Sequence, residues 1–366
     1  MEKMTKNRIA GIVMVAFMAV AGFGCGNKSK GTVEDAVVWE VPDTVYRPWD
    51  EVKDYDYYKI AEDKRFNVEY PDGSILIFGV NEDDETVNVF GGNPNGVEKL
   101  VIPGEVEFSG KKYRVYRIAR HAFATFFNDS IKWMEGVKEI SVGEGIENFG
   151  LGCFEGAPDV ERINLPASLS SIGYSAMSDC EKLEKVVIAE DSKLLMIEDF
   201  AFMNCTALKE FEIPASVRTI RMAPWRNCKS LQSLSIKGGN PEYKVENGVL
   251  YTISGRQLVQ YPAGKKDKEY QVAFGTIEID NSAFYWNDYL EKVMLPNSLE
   301  TIQHLGFAEC AALKEVEFNF GLKWIGNSAF QGCKSLKKVR LPGNTEYTQG
   351  NSYGYDTFPE WTKVRN

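Results

Sequence analysis

The stretch Ile325-Gly326-Asn327-Ser328-Ala329-Phe330-Gln331-Gly332-Cys333-Lys334-Ser335-Leu336-Lys337-Lys338-Val339-Arg340-Leu341 is one unit of a pattern that recurs along the chain. Aligning Ile172, Ile197, Ile220, Ile279, Ile302 and Ile325 places a large apolar residue five positions later each time: Met177, Phe202, Trp225, Phe284, Phe307 and Phe330. Three positions further stand Cys180, Cys205, Cys228, Asn287, Cys310 and Cys333. Three beyond those a Leu-x-x-h-x-h run begins (h, apolar), at Leu183, Leu208, Leu231, Leu290, Leu313 and Leu336. A unit this short cannot bury its apolar side alone, so the copies must stack into a solenoid. Such a fold offers a surface more readily than a pocket, which makes binding the leading class of function.

The runs locate the strands. Their h residues point inward in an extended chain, and the proline of Leu165-Pro166, Ile213-Pro214, Leu295-Pro296 and Leu341-Pro342 ends each strand. Strands ending at Val142, Leu165, Ile188, Ile213, Ile236, Leu295, Phe318 and Leu341 are separated by 23, 23, 25, 23, 59, 23 and 23 residues. The long step holds two short apolar runs, 249–251 and 258–262, joined by Ser254-Gly255, and predicts a hairpin-bearing coil inserted at about 238–275. The aligned Ile marks a second short strand, and Ala-Phe-x-x-Cys predicts one tight helical or 3-10 turn. The fold class is thus a leucine-rich-repeat-type, β-rich solenoid. Its repeats fill 136–345; a cap with a β-hairpin on either side of the acidic turn 81–85, and the first repeat, fill 61–135. Tyr353, Tyr355, Phe358 and Trp361 predict a C-terminal cap or tail over 346–366.

Residues 1–24 read as a secretory signal peptide: Lys3, Lys6 and Arg8, then an uncharged apolar stretch from Ile9 to Phe23, then Gly24 before Cys25. Gly22-Phe23-Gly24-Cys25 resembles a bacterial lipobox, which implies lipidation at Cys25. Residues 25–60 follow as a polar tether and an aromatic segment. Removing the leader, net +2 from three basic residues and Glu2, takes the charge from −10 to −12. An acidic chain opposes nucleic-acid phosphates and anionic membranes, so a membrane is reached only through the lipid.

Seven cysteines in an exported chain suggest disulfides, yet five occupy one repeat slot that Ala157 and Asn287 also fill. They read as reduced packing residues. No spacing of Cys or His suits zinc, and the only histidines, His121 and His304, lack neighbours that would orient a base. No nucleophile elbow, zincin or Walker motif is present, so the chain reads as non-enzymatic, without metal or cofactor.

The motifs Ile325 to Leu336 and Ala201-Phe202-Met203-Asn204-Cys205-Thr206-Ala207-Leu208, with Asn247-Gly248-Val249-Leu250-Tyr251 and Tyr261-Pro262 of the insert, resemble the BspA-like leucine-rich-repeat family of bacterial surface proteins. The resemblance spans about residues 66–345. It implies an outer-membrane or cell-surface lipoprotein of a Gram-negative bacterium, with adhesin-like binding of a host or neighbouring-cell protein. A glycan-binding accessory of a polysaccharide-uptake system and a structural envelope component are the alternatives.

In each Leu-x-x-h-x-h strand the residue between the last two h positions faces outward. This gives a candidate binding face of Ser141, Asn164, Val187, Glu212, Ser235, Met294, Glu317 and Arg340. A candidate aromatic site is Tyr285, Trp286 and Tyr289, on the turn after Phe284. Packing of Trp286 on the inserted hairpin of 246–262 is the competing expectation.

Overall fold

A computed structural model describes residues 61–83, 85–125, 134–349 and 355–365, and the backbone of the short strands Thr32–Val33 and Ala36–Val37. The signal peptide, Cys25, the tether and Tyr353 lie outside the described residues. From Lys99 onward, apart from the insert, the chain winds as a solenoid whose coils supply parallel strands to two different sheets.

The aligned isoleucines form the first sheet. Asn148–Phe149, Ser171–Ile172, Met196–Ile197 and Thr219–Ile220 pair in parallel with Phe149, Ile172, Ile197 and Ile220 in register. Upstream, Arg65–Glu69, Ile75–Val80 and Thr86–Asn93 form an antiparallel meander that closes this sheet, and Thr86–Asn93 then pairs parallel with Lys111–Ile118. Phe66, Val68, Leu76 and Phe78 of the meander are buried, so the predicted cap covers the open end of the core. A further hairpin pairs Glu105–Phe108 with Lys111–Ile118.

The Leu-x-x-h-x-h strands form the second face, alternating between exposed or half-buried and buried residues as in Glu139–Val142 and Glu210–Ile213. The face is not one continuous sheet. Lys99–Ile102, Glu139–Val142, Arg162–Leu165 and Lys185–Ile188 form one piece, and Glu210–Ile213 with Ser233–Ile236 a second. Glu269–Gln271, Lys292–Met294 and Glu315–Glu317 form a third, and Lys338–Arg340 with Lys363–Arg365 a fourth. The first break follows the one coil with two extra residues, between Ile188 and Ile197; the second falls at the insert.

The insert is a meander of Tyr243–Glu246, Val249–Thr252 and Gln257–Gln260, whose last strand pairs parallel with Glu278–Ile279. It starts a second isoleucine sheet running through Thr301–Ile302, Trp324–Ile325 and Glu346–Tyr347. Strand Glu269–Gln271 belongs to a regular coil that the repeat pattern concealed. Its register with Lys292–Met294 puts Asp267 where the sibling repeats have Leu. The Asp267 carboxylate instead accepts a hydrogen bond from the Tyr261 hydroxyl at 3.0 Å.

The predicted helical turn is replaced by a hydrogen-bonded turn with two left-handed residues, one on each side of the large apolar residue. Examples are Ser175 (φ 49°) and Asp179 (59°), Phe200 (58°) and Asn204 (61°), and Leu305 (57°) and Glu309 (61°). Left-handed backbone costs a non-glycine residue roughly 1–2 kcal/mol. It aims alternate amides at the following coil: Ser175, Met177 and Asp179 donate to the carbonyls of Asp199, Ala201 and Met203 at 3.0, 2.8 and 2.7 Å. Those inter-coil bonds offset the strain.

Beneath the turns runs a ladder of buried rings. Tyr261, Phe284, Phe307, Phe330 and Phe358 stack at 4.8, 4.4, 5.1 and 5.0 Å between successive centroids. Phe358 extends the ladder beyond the last repeat as a cap. Trp361 reaches back to donate to the Cys333 carbonyl at 3.4 Å, whereas Tyr355 stays exposed.

Candidate functional surface

Register places the predicted outward residues side by side. Val101, Ser141, Asn164 and Val187 align directly, as do Glu212 with Ser235, Met294 with Glu317, and Arg340 with Arg365. Every residue of the predicted column is exposed or half-buried. Gln271 aligns with Met294 and belongs to the column too; the missing leucine at 267 hid it. Chemistry changes along the column. Asn164 donates to Glu139 (2.8 Å) and Ser141 (3.1 Å), giving a polar, self-bonded start. The later part is charged: Lys292 pairs with Glu315 at 3.2 Å and also with Glu317. Further cross-coil pairs, Glu98 with Lys138 (2.6 Å), Asp159 with Lys182 (2.6 Å) and Glu184 with Lys209 (3.1 Å), line the edge of this face. Exposed pairs of this kind contribute little to stability, about 0–1 kcal/mol each, and keep the sheet solvated.

The aromatic candidates lie close to cations of another coil. Trp286, Tyr285 and Tyr289 are half-buried, with Trp286 in the left-handed region at φ 61°. Its ring lies under Lys229, Nζ 3.9 Å from the centroid, and the Tyr285 ring lies under the Arg226 guanidinium at 4.2 Å. Both cations come from the coil before the insert. These cation–π contacts join the coils that flank the insert, so Trp286 contacts the turn of the repeat before the insert. Two more aromatics escaped the sequence reading: Phe274 and Phe320 are 92 and 93 % exposed. They occupy one slot, three residues past the ends of strands Glu269–Gln271 and Glu315–Glu317, two coils apart, with exposed Asn297 between them. At strand spacing their backbones are roughly 10 Å apart.

The repeat cysteines are buried free thiols in the described part of the chain. Cys180, Cys205, Cys228, Cys310 and Cys333 each donate to the carbonyl at the aromatic position one coil back, at 3.0–3.2 Å. The slot therefore rewards a donor as well as small size, which explains Asn287: its amide donates to the Ala263 and Lys265 carbonyls, both at 3.0 Å. Burial pushes the Cys180 and Cys310 thiols up to about 12, far from the thiolate that reacts or binds metal. Cys205→Ala should fold at a cost of about 1–2 kcal/mol for cavity and lost bond. Alkylation of the native, unreduced protein should leave all six thiols unmodified until denaturant is added; mass-spectrometric detection of a Cys205–Cys228 or Cys310–Cys333 bridge would refute this.

One titratable pair lies inside the turn ridge. His121 Nδ1 stands 3.7 Å from Glu155 Oε2, and Ser178 donates to Glu155 Oε1 at 3.1 Å. Burial, helped by Arg120, lowers His121 to about 4, and burial raises Glu155 to about 7. Burial disfavours the charge on both side chains, and the pair is a contact between the first two turns. Among the described residues no cluster of His, Cys, Asp and Glu could hold a metal ion. Nor is any helix there long and apolar enough to cross a membrane.

A two-sheet solenoid of 23-residue coils with an apolar ladder beneath its turns is a leucine-rich-repeat domain. The chain belongs to the BspA type leucine-rich repeat family, whose repeat matches residues 115–246 and 276–361 in six copies. Its fold is similar to the pneumococcal vaccine antigen PcpA, at 26 % identity and a TM-score of 0.63, over 79 % of this chain and 76 % of that one. A leucine-rich cell surface protein of Faecalibacterium prausnitzii shares the fold at 21 % identity and TM-score 0.53, over 80 and 86 % of the two chains. No curated protein matches the sequence. The repeats are thus a scaffold of the type that bacterial surface proteins carry.

Proposed function

We propose that this chain is an exported surface lipoprotein, anchored through Cys25, whose repeat domain binds a protein of a host or neighbouring cell without catalysis. The observation that carries the reading is the outward column, in register within each of the four pieces of the face and exposed or half-buried throughout. A partner lying along it would share its binding energy among many modest contacts, with Met294 and Arg340 as candidate anchors. The fold shared with the pneumococcal vaccine antigen PcpA and with a leucine-rich cell surface protein supports the same class. A second reading, an extended glycan stacked on two rings, is favoured by Phe274 and Phe320 alone, because flat apolar rings at a fixed spacing suit successive sugars. A binding screen of host matrix proteins and oligosaccharides separates the two. Protein ligands that tolerate the Phe274→Ala, Phe320→Ala double variant support the first reading; oligosaccharides that lose binding to it support the second. Anchoring is checked separately: Cys25→Ser should leave the membrane fraction, and a membrane-bound variant of unchanged mass would contradict the lipoprotein reading.

A further inference from the structure

At the start of the face, strand Lys99–Ile102 pairs with Glu139–Val142 on one side only among the described residues. In Lys99–Ile102 the Glu98 carbonyl accepts from the amides of Lys138 (2.8 Å) and Glu139 (3.0 Å), and the Ile102 carbonyl from Gly143 (2.8 Å). The backbone groups of Glu98, Leu100 and Ile102 therefore face the next coil. Because successive residues of a parallel strand bond to opposite sides, the N–H and C=O of Lys99 and Val101 face the other way. Among the described residues no strand pairs with that edge. The far end of the same face ends in Lys363–Arg365, also paired on one side among the described residues, and the start of the isoleucine sheet is covered by the meander of 65–93.

Beside the open edge lies a pocket of about 250 Å³ lined by Tyr70, Pro71, Asp72, Ser74, Val101 and Pro103. Val101 is 48 % exposed, an apolar residue at the head of the column. The Tyr70 hydroxyl is buried with no hydrogen-bond partner among the described residues. Asp72 accepts from the Ser74 amide (2.9 Å) and hydroxyl (2.6 Å) through one oxygen and joins no ion pair there.

We propose that this edge takes an extended polypeptide of a partner protein, which adds a strand against Lys99 and Val101 and places a lysine or arginine side chain in the pocket beside Tyr70 and Asp72. A row of unpaired backbone donors and acceptors is matched only by another extended backbone. The pocket has room for one side chain. Its walls of Pro71, Val101 and Pro103 suit an aliphatic stem, while the exposed Asp72 carboxylate suits a cationic head. The chain's net charge of −10 attracts a basic segment and disfavours a second copy of itself at this edge. The inference rests on the macromolecule-binding reading but uses a different surface from the outward column.

The test pans a displayed library of heptapeptides, with Val or Thr at alternate positions and the rest randomised, on the full chain. Recovered peptides should carry Lys or Arg at one position and slow hydrogen exchange at the Val101 amide. They should lose about tenfold in affinity for Val101→Pro and for Asp72→Asn, while Val101→Thr retains binding. Proline is tolerated where an edge amide points outward, so Val101→Pro should keep the wild-type circular dichroism spectrum. Three results would overturn the proposal: no enriched peptide, equal binding to Val101→Pro, or a Val101 amide already slow to exchange in the free chain, which would mean the protein covers its own edge. The Glu212→Ala, Glu317→Ala variant should bind the peptides normally; loss there would put them on the strand face and also count against the open-edge site.

Discussion

Replacing Phe307 with alanine should cost about 3–5 kcal/mol of folding stability, the largest effect expected of any single change in the repeats. Its ring is fully buried and stacked between Phe284 at 4.4 Å and Phe330 at 5.1 Å. Its carbonyl accepts from the Cys333 thiol, and its amide donates to Ala329 of the next coil at 2.8 Å. Both neighbouring coils are held at strand spacing by their own inter-coil hydrogen bonds, so they cannot close over the hole. A cavity that stays open retains its full energetic cost. Whole domains are stable by only about 5–15 kcal/mol, so the loss should be plain in urea denaturation followed by circular dichroism. Phe307→Met, the residue type that Met177 supplies at the same slot, should cost about 1.5 kcal/mol or less. Near-equal effects of Ala and Met would show that the ring is not packed as described.

Asn287→Ala should destabilise by about 3 kcal/mol or more through orphaned hydrogen bonds. The Asn287 amide donates to the carbonyls of Pro262 (3.4 Å), Ala263 and Lys265, and its oxygen accepts from the amides of Tyr289 (3.0 Å) and Leu290 (2.8 Å). Alanine fills the space poorly and satisfies none of these groups. Cysteine, which the sibling repeats use, can reach one carbonyl, so Asn287→Cys should fall between alanine and the wild type. Because these bonds tie the regular coil of 267–289 to the end of the insert, hydrogen exchange should accelerate first around 262–265 in the alanine variant. Uniform acceleration along the whole chain would instead point to loss of the core.

Much of this was legible in the residues. The spacing of Ile, Phe, Cys and Leu defines the coil because each position has one environment, repeated, and burial leaves little choice of residue there. The insert was visible as a gap in that spacing, and the caps as apolar runs out of phase with it. The coil of 267–289 was not, since Asp267 breaks the leucine signal and only the register of Glu269–Gln271 reveals it. Turn geometry was also concealed: Phe200, Leu305 and Trp286 are poor candidates for left-handed backbone by type, and inter-coil bonds override that preference. The clamp of Arg226 and Lys229 over Tyr285 and Trp286 joins residues about sixty positions apart in the chain, across the insert, and no local pattern encodes it. Breaks in the outward face follow from the two extra residues after Ile188 and from the insert, whereas the break between Glu315–Glu317 and Lys338–Arg340 has no cause in the spacing.

The central claim is that ligand lies along the outward column over several coils. Binding of a protein recovered from the matrix screen should be measured by calorimetry for two double variants, Glu212→Ala with Glu317→Ala on the strand face, and Trp286→Ala with Tyr289→Ala on the turn. The strand-face pair should weaken binding about tenfold with folding intact, since it removes contacts from two separate pieces of the face. The turn pair should lower stability, by freeing Lys229 from the Trp286 ring, and leave affinity unchanged. Binding lost only in the turn pair, with wild-type circular dichroism in both variants, would contradict the account and place the ligand on the aromatic turn.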